Sequence, residues 1–246
     1  MTPVLTYRML GRQGRSPRKI GLNVDRNETG EEDLAAPVHA GHVPPSERLR
    51  DPALLVIDMQ NDFVRRDAPL EVPDSRATIG PIQRLIEAFR TCDRPVIYTR
   101  FLSREEPNLL WHWSPQCWPD VKSCWKGHQR TYPDIQGARD CSDVIDELKP
   151  MDGEIVIDKY GYGAFHGTDL DRRLKAEAVK SLLVAGTVTQ ICIEETAREA
   201  FHHGYRTTIV ADAVSSYAPD LHAATLKNFA MKFGWVADTD TALSWL

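Results

Sequence analysis

The sequence lacks long apolar runs and an excess of basic charge, and it is poor in cysteine. Its longest apolar runs, such as Ala53–Ile57, are far shorter than the roughly 20 residues that a membrane-spanning helix needs. The formal net charge of -5 gives no electrostatic reason to expect a nucleic-acid partner. Basic residues near the amino terminus precede no apolar core, so we predict no secretory signal. We therefore expect neither a nucleic-acid nor a membrane partner, and the small-molecule substrate that we predict rests on the catalytic residues and the resemblance described below.

The 5 cysteines are too few, and odd in number, for a disulfide framework. This favours a cytoplasmic location, where thiols stay reduced. His112, Cys117, Cys124 and His128 form a loose Cys/His group. Its spacings match no structural zinc pattern, in which ligands usually come in closely spaced pairs. We predict no bound zinc.

Two regions differ in pattern. Residues 1–50 have no sustained periodicity and are predicted to be an N-terminal extension or arm, either disordered or packed against a neighbouring subunit. Residues 51–246 alternate short apolar runs with amphipathic segments, which is typical of a parallel sheet covered by helices on both faces. The predicted strands are 53–57, 95–99, 155–157, 182–184, 208–210 and 235–236. The predicted helices are 79–89, 142–148, 169–176, 192–203, 221–233 and 239–246.

The longest segment without clear periodicity, residues 101–139, holds four of the 6 tryptophans. Long irregular segments in compact domains often act as lids or binding loops. Burial at a subunit interface explains the same aromatic residues equally well, so both interpretations stay open.

Three polar residues follow predicted strands. Asp58 ends the first strand, Lys159 follows the third, and Cys192 comes shortly after the fourth. Taken singly, Asp58 suits a turn cap, Lys159 a surface lysine and Cys192 an inert buried thiol. Ligands bind at the carboxyl ends of parallel strands, however, so an acid, a base and a thiol at one sheet edge predict a catalytic site.

The chemistry of these groups is complementary. A nearby ammonium and a helix N-terminus lower the pKa of a thiol, and we expect this for Cys192. The Asp58 carboxylate can take the thiol proton during attack and return it to a departing amine. A buried Asp58–Lys159 pair is acceptable where it tunes a nucleophile.

The stretches LLVIDMQNDF at 54–63, IDK at 157–159 and VAGTVTQICIE at 184–194 resemble the isochorismatase-like cysteine hydrolases. The resemblance runs from about Pro52 to Leu246. It implies a three-layer α/β/α sandwich with a mostly parallel, Rossmann-like six-stranded sheet, and a homo-oligomer (dimer or tetramer). It also implies that Asp58 is the base, that Lys159 tunes the site and that Cys192 forms a thioester. A cis peptide between Thr187 and Val188 is implied too, with the Val188 and Cys192 amides forming an oxyanion hole.

Departures from the family pattern reduce the number of reactions that the chain is expected to catalyse. Members acting on nicotinamide-type substrates carry an Asp and His metal cluster after the second strand, which this chain lacks, so we predict neither a catalytic metal nor a cofactor. Members acting on isochorismate lack the cysteine, and Cys192 therefore argues against that reaction. Many members have a small hydroxyl residue shortly after the cysteine where this chain has Glu195, whose role is left open. The ending FGWVADT at 233–239 resembles the ureidoacrylate, biuret and N-carbamoylsarcosine amidohydrolase branch.

We therefore predict a cysteine-dependent amidohydrolase of linear amides that acts on a small amide, ureido or N-carbamoyl compound. Two alternatives stay open: a catalytically silent metabolite-binding protein, and an ester or vinyl-ether hydrolase of the same fold. Arg100 is placed to meet a substrate carboxylate, although a surface salt bridge is its commoner role. The other candidate pocket residues are Phe63, Trp113, Tyr160, Tyr162 and Phe165, for which core packing is the alternative.

Overall fold

The computed structural model describes residues 48–246. Residues 1–47, which make up nearly all of the predicted arm, lie outside the described residues. The proposed boundary between arm and domain therefore stays a prediction.

A six-stranded, all-parallel sheet forms the centre of the domain. Its strands are β1 (Pro52–Ile57), β2 (Val96–Phe101), β5 (Ile155–Lys159), β6 (Ser181–Thr187), β7 (Arg206–Ser215) and β8 (Trp235–Ala237). The order across the sheet is β5-β2-β1-β6-β7-β8. Two short strands, β3 (Gln129–Thr131) and β4 (Ala138–Asp140), form a separate antiparallel pair. All six predicted strands are present in the sheet.

Seven α-helices are found in the described part of the chain. They are α1 (Asn61–Val64), α2 (Ile79–Thr91), α3 (Leu109–Trp113), α4 (Leu170–Ala176), α5 (Glu194–His202), α6 (Pro219–Lys232) and α7 (Thr239–Leu243). Turns of 3-10 helix cover Pro73–Thr78, Pro115–Cys117 and Asp146–Leu148, and a π-helical turn covers Thr189–Ile193. No helix of residues 48–246 is long and apolar enough to span a membrane.

Alternating side chains of β1 serve two hydrophobic cores, one on each face of the sheet. Leu54 and Val56 pack with Leu85 and Phe89 of α2. Leu55 and its neighbours Ala53 and Ile57 belong to the second core, with side chains of α4, α5 and α6. A strand that is buried on both faces reads as a continuous apolar run, which explains the pattern at 53–57. The predicted three-layer α/β/α sandwich is confirmed.

The predicted helix at 142–148 is wrong. Only a 3-10 turn forms at Asp146–Leu148. Val144 instead pairs with Gln60 in an antiparallel bridge, and the Ile145 amide donates to the Met59 carbonyl at 2.9 Å. Tertiary pairing with the loop after β1 therefore overrides the helical spacing of the apolar residues.

Strand order reverses between β1 and β6, and Gly186 marks this point. Its φ of +120° is a conformation that side chains with a Cβ rarely adopt. An added Cβ would overlap the Ile57 carbonyl oxygen and lie 2.8 Å from the carbonyl carbon. Both partners are backbone atoms, so they have little freedom to move aside. The close contact between the two strand ends therefore requires glycine.

We expect Gly186→Ala to lower the free energy of unfolding by about 3 kcal/mol or more, through backbone overlap and an unfavourable φ. Gly80→Ala is the matched control, because nothing lies within 4 Å of an added Cβ there and the site is helical. That control should stabilise by about 0.5–1 kcal/mol. Urea unfolding of both variants measures the difference, and equal stabilities would contradict it.

Candidate active site

Asp58, Lys159 and Cys192 come together at the carboxyl edge of the sheet. Asp58 follows β1 with a φ of +50°, and Lys159 is the last residue of β5. Cys192 lies in the π-helical turn that joins β6 to α5. Asp58 and Lys159 are fully buried, and Cys192 is 3% exposed. The three residues are thus shielded from bulk water.

Asp58 and Lys159 form a fully buried ion pair with 2.8 Å between Nζ and Oδ2. The Thr99 hydroxyl donates to the other carboxylate oxygen, Oδ1, at 2.6 Å. Lys159 also donates to the carbonyl oxygens of Gly161 and Tyr162, at 3.1 and 2.8 Å. These contacts compensate the cost of burying two charges, which would otherwise be several kcal/mol for each ion.

Thr99 was not predicted as a site residue. It lies on β2, the strand between β1 and β5, and its hydroxyl donates to the carboxylate oxygen of Asp58 that Lys159 does not contact. The only feature of the sequence that could have indicated a role for Thr99 is its position at the end of the second predicted strand. That position is informative only if β2 is known to lie next to β1, and the periodicity of the sequence does not give the order of the strands.

The charges of the trio act on one another. Burial lowers the pKa of Lys159, but Asp58 and Cys192 together raise it above the ordinary value. Burial raises the pKa of Cys192 to about 12; Lys159 and the Val188 backbone amide lower it, and Asp58 raises it. The expected lowering of this pKa is therefore wrong, because burial of the thiol outweighs the effect of the ammonium. At neutral pH the raised pKa keeps the proton on the Cys192 thiol, near the Asp58 carboxylate.

The peptide bond between Thr187 and Val188 is cis, as the resemblance implied. The Val188 backbone amide is near enough to the Cys192 sulfur to lower the pKa of that thiol. The Val188 carbonyl accepts from the amides of Ile191 and Ile193, at 3.1 and 3.2 Å. The amide side of Val188 therefore faces the sulfur, while its carbonyl helps to close the π-helical turn.

Three aromatic rings form a wall beside the trio. The Phe63 ring meets the Phe101 ring edge-on, and Tyr162 stacks on Phe101, each with 6.3 Å between ring centroids. Lys159 Nζ lies 5.5 Å from the Phe101 ring centroid. Burial raises the pKa of Tyr162, a hydrogen bond with Ser114 lowers it and Cys192 raises it, and the net shift is upward. Phe101 and Ser114 were not predicted as site residues.

Three other pocket candidates have contacts that lead away from the trio. Trp113 is 82% exposed and Tyr160 is 44% exposed. The Arg104 guanidinium lies 4.4 Å from the Tyr160 ring centroid. Phe165 stacks on His203 at 4.7 Å between ring centroids, next to Tyr205. Tyr160 lies just beyond the end of β5, and its partly exposed ring contacts Arg104.

Arg100 forms ion pairs within the protein. Its Nε and Nη2 donate to the two carboxylate oxygens of Asp158, at 2.8 and 3.1 Å, and Nη1 contacts Asp143 at 2.5 Å. Burial raises the pKa of Asp158, but Arg100 and Lys126 hold it below the ordinary value. The alternative role that we gave Arg100, a salt bridge, accounts for these contacts.

We expect Arg100→Gln to lower the free energy of unfolding by about 1–2 kcal/mol at neutral pH, since it breaks a partly buried bidentate pair. KM should stay within about twofold. The pair requires ionised Asp158, so the loss should shrink as pH falls below about 4. Chemical unfolding at pH 7 and pH 3 tests this. A tenfold rise in KM with unchanged stability would instead assign Arg100 to the substrate.

Glu195 is exposed, and the adjacent Thr196 is fully buried. The Thr196 hydroxyl accepts a hydrogen bond from the Ala164 amide at 3.1 Å. Burial and Glu199 raise the pKa of Glu195, whereas Lys159 and His166 lower it. Thr196 is thus a small hydroxyl residue one position after the one where the family pattern places it. Its hydrogen bond with Ala164 connects the loop after β5 to α5.

The side chains of residues 60–62 form hydrogen bonds with the irregular segment that follows β2, mainly with its main-chain groups. The Gln60 side chain exchanges hydrogen bonds with the backbone of Phe101 and donates to the Ser142 carbonyl. Asn61 donates to two more carbonyls of that segment, and Asp62 accepts from the Cys124 amide at 2.9 Å. The loop that supplies Asp58 therefore also fixes the segment around the site.

The Cys/His group does not form a metal centre. Among residues 48–246, no three His, Cys, Asp or Glu side chains are placed to hold a metal ion. Cys117, Cys124 and Cys141 are buried free thiols. Burial raises the pKa of each, so they serve as apolar packing groups around the Asp62 carboxylate.

Comparisons with known proteins agree with this architecture. The ureidoacrylate amidohydrolase RutB of Rhizobium rhizogenes is 31% identical over 196 residues, covering 75% of this chain and 79% of that protein. Nicotinamidase 3 of Arabidopsis thaliana is 33% identical over 205 residues, covering 78% and 90%.

Solved structures give the same picture. A cysteine hydrolase from Pseudomonas syringae pv. phaseolicola superposes with a TM-score of 0.69 at 28% identity, covering 82% of this chain and 93% of that one. The N-carbamoylsarcosine amidase of Thermoplasma acidophilum gives 0.61 at 30% identity, covering 77% and 96%. The isochorismatase domain model matches residues 52–241. The chain belongs to the isochorismatase family of hydrolases.

Proposed function

We propose that the chain is a cysteine-dependent amidohydrolase that cleaves a carbon–nitrogen bond of a small amide, ureido or N-carbamoyl compound and releases ammonia. The observation that carries this proposal is the buried contact of a carboxylate, an ammonium and a thiol at one sheet edge, with 2.8 Å between Lys159 Nζ and Asp58 Oδ2. The named activities of the relatives support the type of bond: ureidoacrylate amidohydrolase and N-carbamoylsarcosine amidase.

In the first step, the Cys192 sulfur attacks the substrate carbonyl carbon while the thiol proton passes to Asp58. Because the resting thiol is protonated, proton transfer accompanies attack. The oxyanion that forms on the carbonyl oxygen is stabilised by the Val188 and Cys192 amides. Fixed donors of this kind are often the largest single contribution to catalysis.

In the second step, the tetrahedral intermediate collapses. The carbon–nitrogen bond breaks, and Asp58 returns the proton to the leaving nitrogen, so ammonia departs as a neutral molecule. The acyl group stays on sulfur as a thioester, or as a thiocarbamate for a ureido compound. Lys159 enters the cycle protonated, because the Asp58 carboxylate raises its pKa.

Water completes the cycle. Asp58 takes a proton from the water molecule as its oxygen attacks the acyl carbon, the carbon–sulfur bond breaks, and the proton passes to the departing sulfur. The wall formed by Phe63, Phe101 and Tyr162 favours a small substrate that packs flat against the Phe101–Tyr162 stack. Such apolar walls with a few directed polar groups are usual in small-molecule sites.

The test is ammonia release from a panel containing ureidoacrylate, biuret, N-carbamoylsarcosine, nicotinamide and primary aliphatic amides. We expect release from at least one ureido or carbamoyl compound, together with a covalent adduct of Cys192 in acid-quenched mixtures examined by mass spectrometry. Turnover of a vinyl ether or ester without any ammonia release would contradict the proposal in favour of the second alternative. Tight binding without turnover would favour the silent one. The predicted homo-oligomer stays a prediction, which analytical ultracentrifugation tests.

A further inference from the structure

Thr189, the residue after Val188, is held through its hydroxyl by two contacts. Its Oγ1 lies 2.9 Å from the Ser215 carbonyl oxygen at the end of β7 and 2.9 Å from Nδ1 of His222 in the first turn of α6. Thr189 is fully buried and His222 is partly buried. The π-helical turn is therefore fastened to two further elements of the fold.

The direction of these hydrogen bonds follows from proton counting. The Thr189 hydroxyl has one hydrogen, which it donates to the Ser215 carbonyl, a group that only accepts. His222 Nδ1 must then be the donor to the hydroxyl oxygen. Burial lowers the pKa of His222, with Asp74 opposing, so at neutral pH the ring carries a single proton and that proton lies on Nδ1.

We propose that His222 is a positioning residue for the oxyanion hole: its Nδ1–H fixes the Thr189 hydroxyl, and through it the adjacent Val188 amide that faces Cys192. This inference rests on the proposed function. His222 touches neither the trio nor, in this proposal, the substrate. It acts by limiting the movement of one peptide unit, and a hole built from backbone amides depends on such limits because the donors must lie 2.7–3.1 Å from the developing oxyanion.

The other threonine hydroxyl beside Val188 bonds to β7, so it does not duplicate the contact that His222 makes from α6. The Thr187 hydroxyl also donates to the Ser215 carbonyl, but at 3.4 Å, so both hydroxyl contacts with β7 end on one acceptor. The His222 contact is directed from a different element, α6. The contacts of Thr187 and Thr189 flank Val188, so anchors from both β7 and α6 restrict movement of the Val188 backbone, its amide included, more than anchors from β7 alone.

The experiment compares His222→Ala, His222→Asn and His222→Gln, with His202→Asn as a control at an exposed histidine of α5. The asparagine amide occupies nearly the place of Nδ1 and can donate to Thr189, whereas that of glutamine lies nearer to Nε2. We expect kcat to fall about 10–100-fold for the Ala and Gln variants and to stay within about threefold for Asn, with KM changing less than about threefold throughout. His202→Asn should match the wild type.

Two probes separate this inference from the proposed function. Acylation of Cys192 by p-nitrophenyl acetate passes through an oxyanion, whereas alkylation by iodoacetamide does not. We expect His222→Ala to slow acylation about 10-fold or more and to leave alkylation within about twofold. Equal slowing of both reactions, or none of either, overturns the inference. If the wild type releases no ammonia yet shows this pattern, the proposed function fails and the positioning role stands.

A double-mutant cycle with Thr189→Val completes the test. If His222 acts only through the Thr189 hydroxyl, His222→Ala should cost less than about twofold in acylation rate once that hydroxyl is absent. Additive losses in the double variant would show that His222 acts by another route and would overturn the inference. Thermal unfolding of each variant identifies any loss of rate that comes from misfolding.

Discussion

Cys192→Ala is expected to reduce ammonia release by at least about 10⁴-fold, because it removes the atom that forms the covalent intermediate in the proposed mechanism. The fold should persist, since the sulfur is a small part of a well-packed face and its loss costs on the order of 1 kcal/mol. Ammonia release and the acid-quenched mass of the protein give the two readouts, and both the turnover and the adduct should disappear.

Cys92→Ala is the matched control for this variant. Cys92 is exposed at the end of α2 and should be replaceable without effect on turnover. Retention of more than about 1% of the activity by Cys192→Ala would remove the nucleophile assignment, because the remaining site groups alone should not supply that rate. A catalytically silent protein would show no turnover in either variant or in the wild type.

Asp58→Asn is expected to abolish turnover and also to destabilise the fold by about 3–5 kcal/mol, because it leaves the Lys159 ammonium buried without its counter-charge. Both side chains have no exposed surface, so water cannot compensate the lost partner. Lys159→Met should cost a similar amount, since it leaves the carboxylate unpaired. In the proposed mechanism, activity is lost in each case for a different reason: Asp58 moves the proton, and Lys159 sets the charge of the site.

The double variant Asp58→Asn/Lys159→Met distinguishes the two effects. It removes both charges, so its stability should lie above the sum of the single losses by at least about 1–3 kcal/mol, while turnover stays absent. Guanidinium unfolding gives the stabilities and ammonia release gives the activities. Strictly additive losses of stability would show that the two buried charges do not stabilise one another. Restored activity in the double variant would exclude Asp58 as the base.

The sequence was sufficient to locate Asp58, Lys159 and Cys192, for a physical reason. Asp58 and Cys192 follow apolar runs that form strands buried on both faces, Lys159 ends the edge strand β5, and parallel strands place their carboxyl ends at one edge. What each of the three residues does remains to be tested by the variants above. The direction of the Cys192 pKa was not accessible, because it depends on the extent of burial, which a motif does not give.

Residues that depend on tertiary placement were missed. Thr99 contacts Asp58 only because β2 lies between β1 and β5, and Ser114 reaches Tyr162 only because of the path that the segment after β2 takes. The spacing of Val144, Ile145 and Leu148 indicated a helix, but pairing with the loop after β1 decides their conformation. His222 gave no signal at all, since its partner Thr189 is 33 residues away.

The way in which Gln60, Asn61 and Asp62 hold the irregular segment has a consequence for how substrate range can change. Most of their hydrogen bonds end on main-chain carbonyls and amides, which every residue type provides. Substitutions in the segment can therefore alter its side chains without removing these attachments. The side chains of this segment can therefore be exchanged as a set. We expect libraries that randomise them, while residues 58–62 are kept constant, to yield new substrate specificities without changing the candidate catalytic residues.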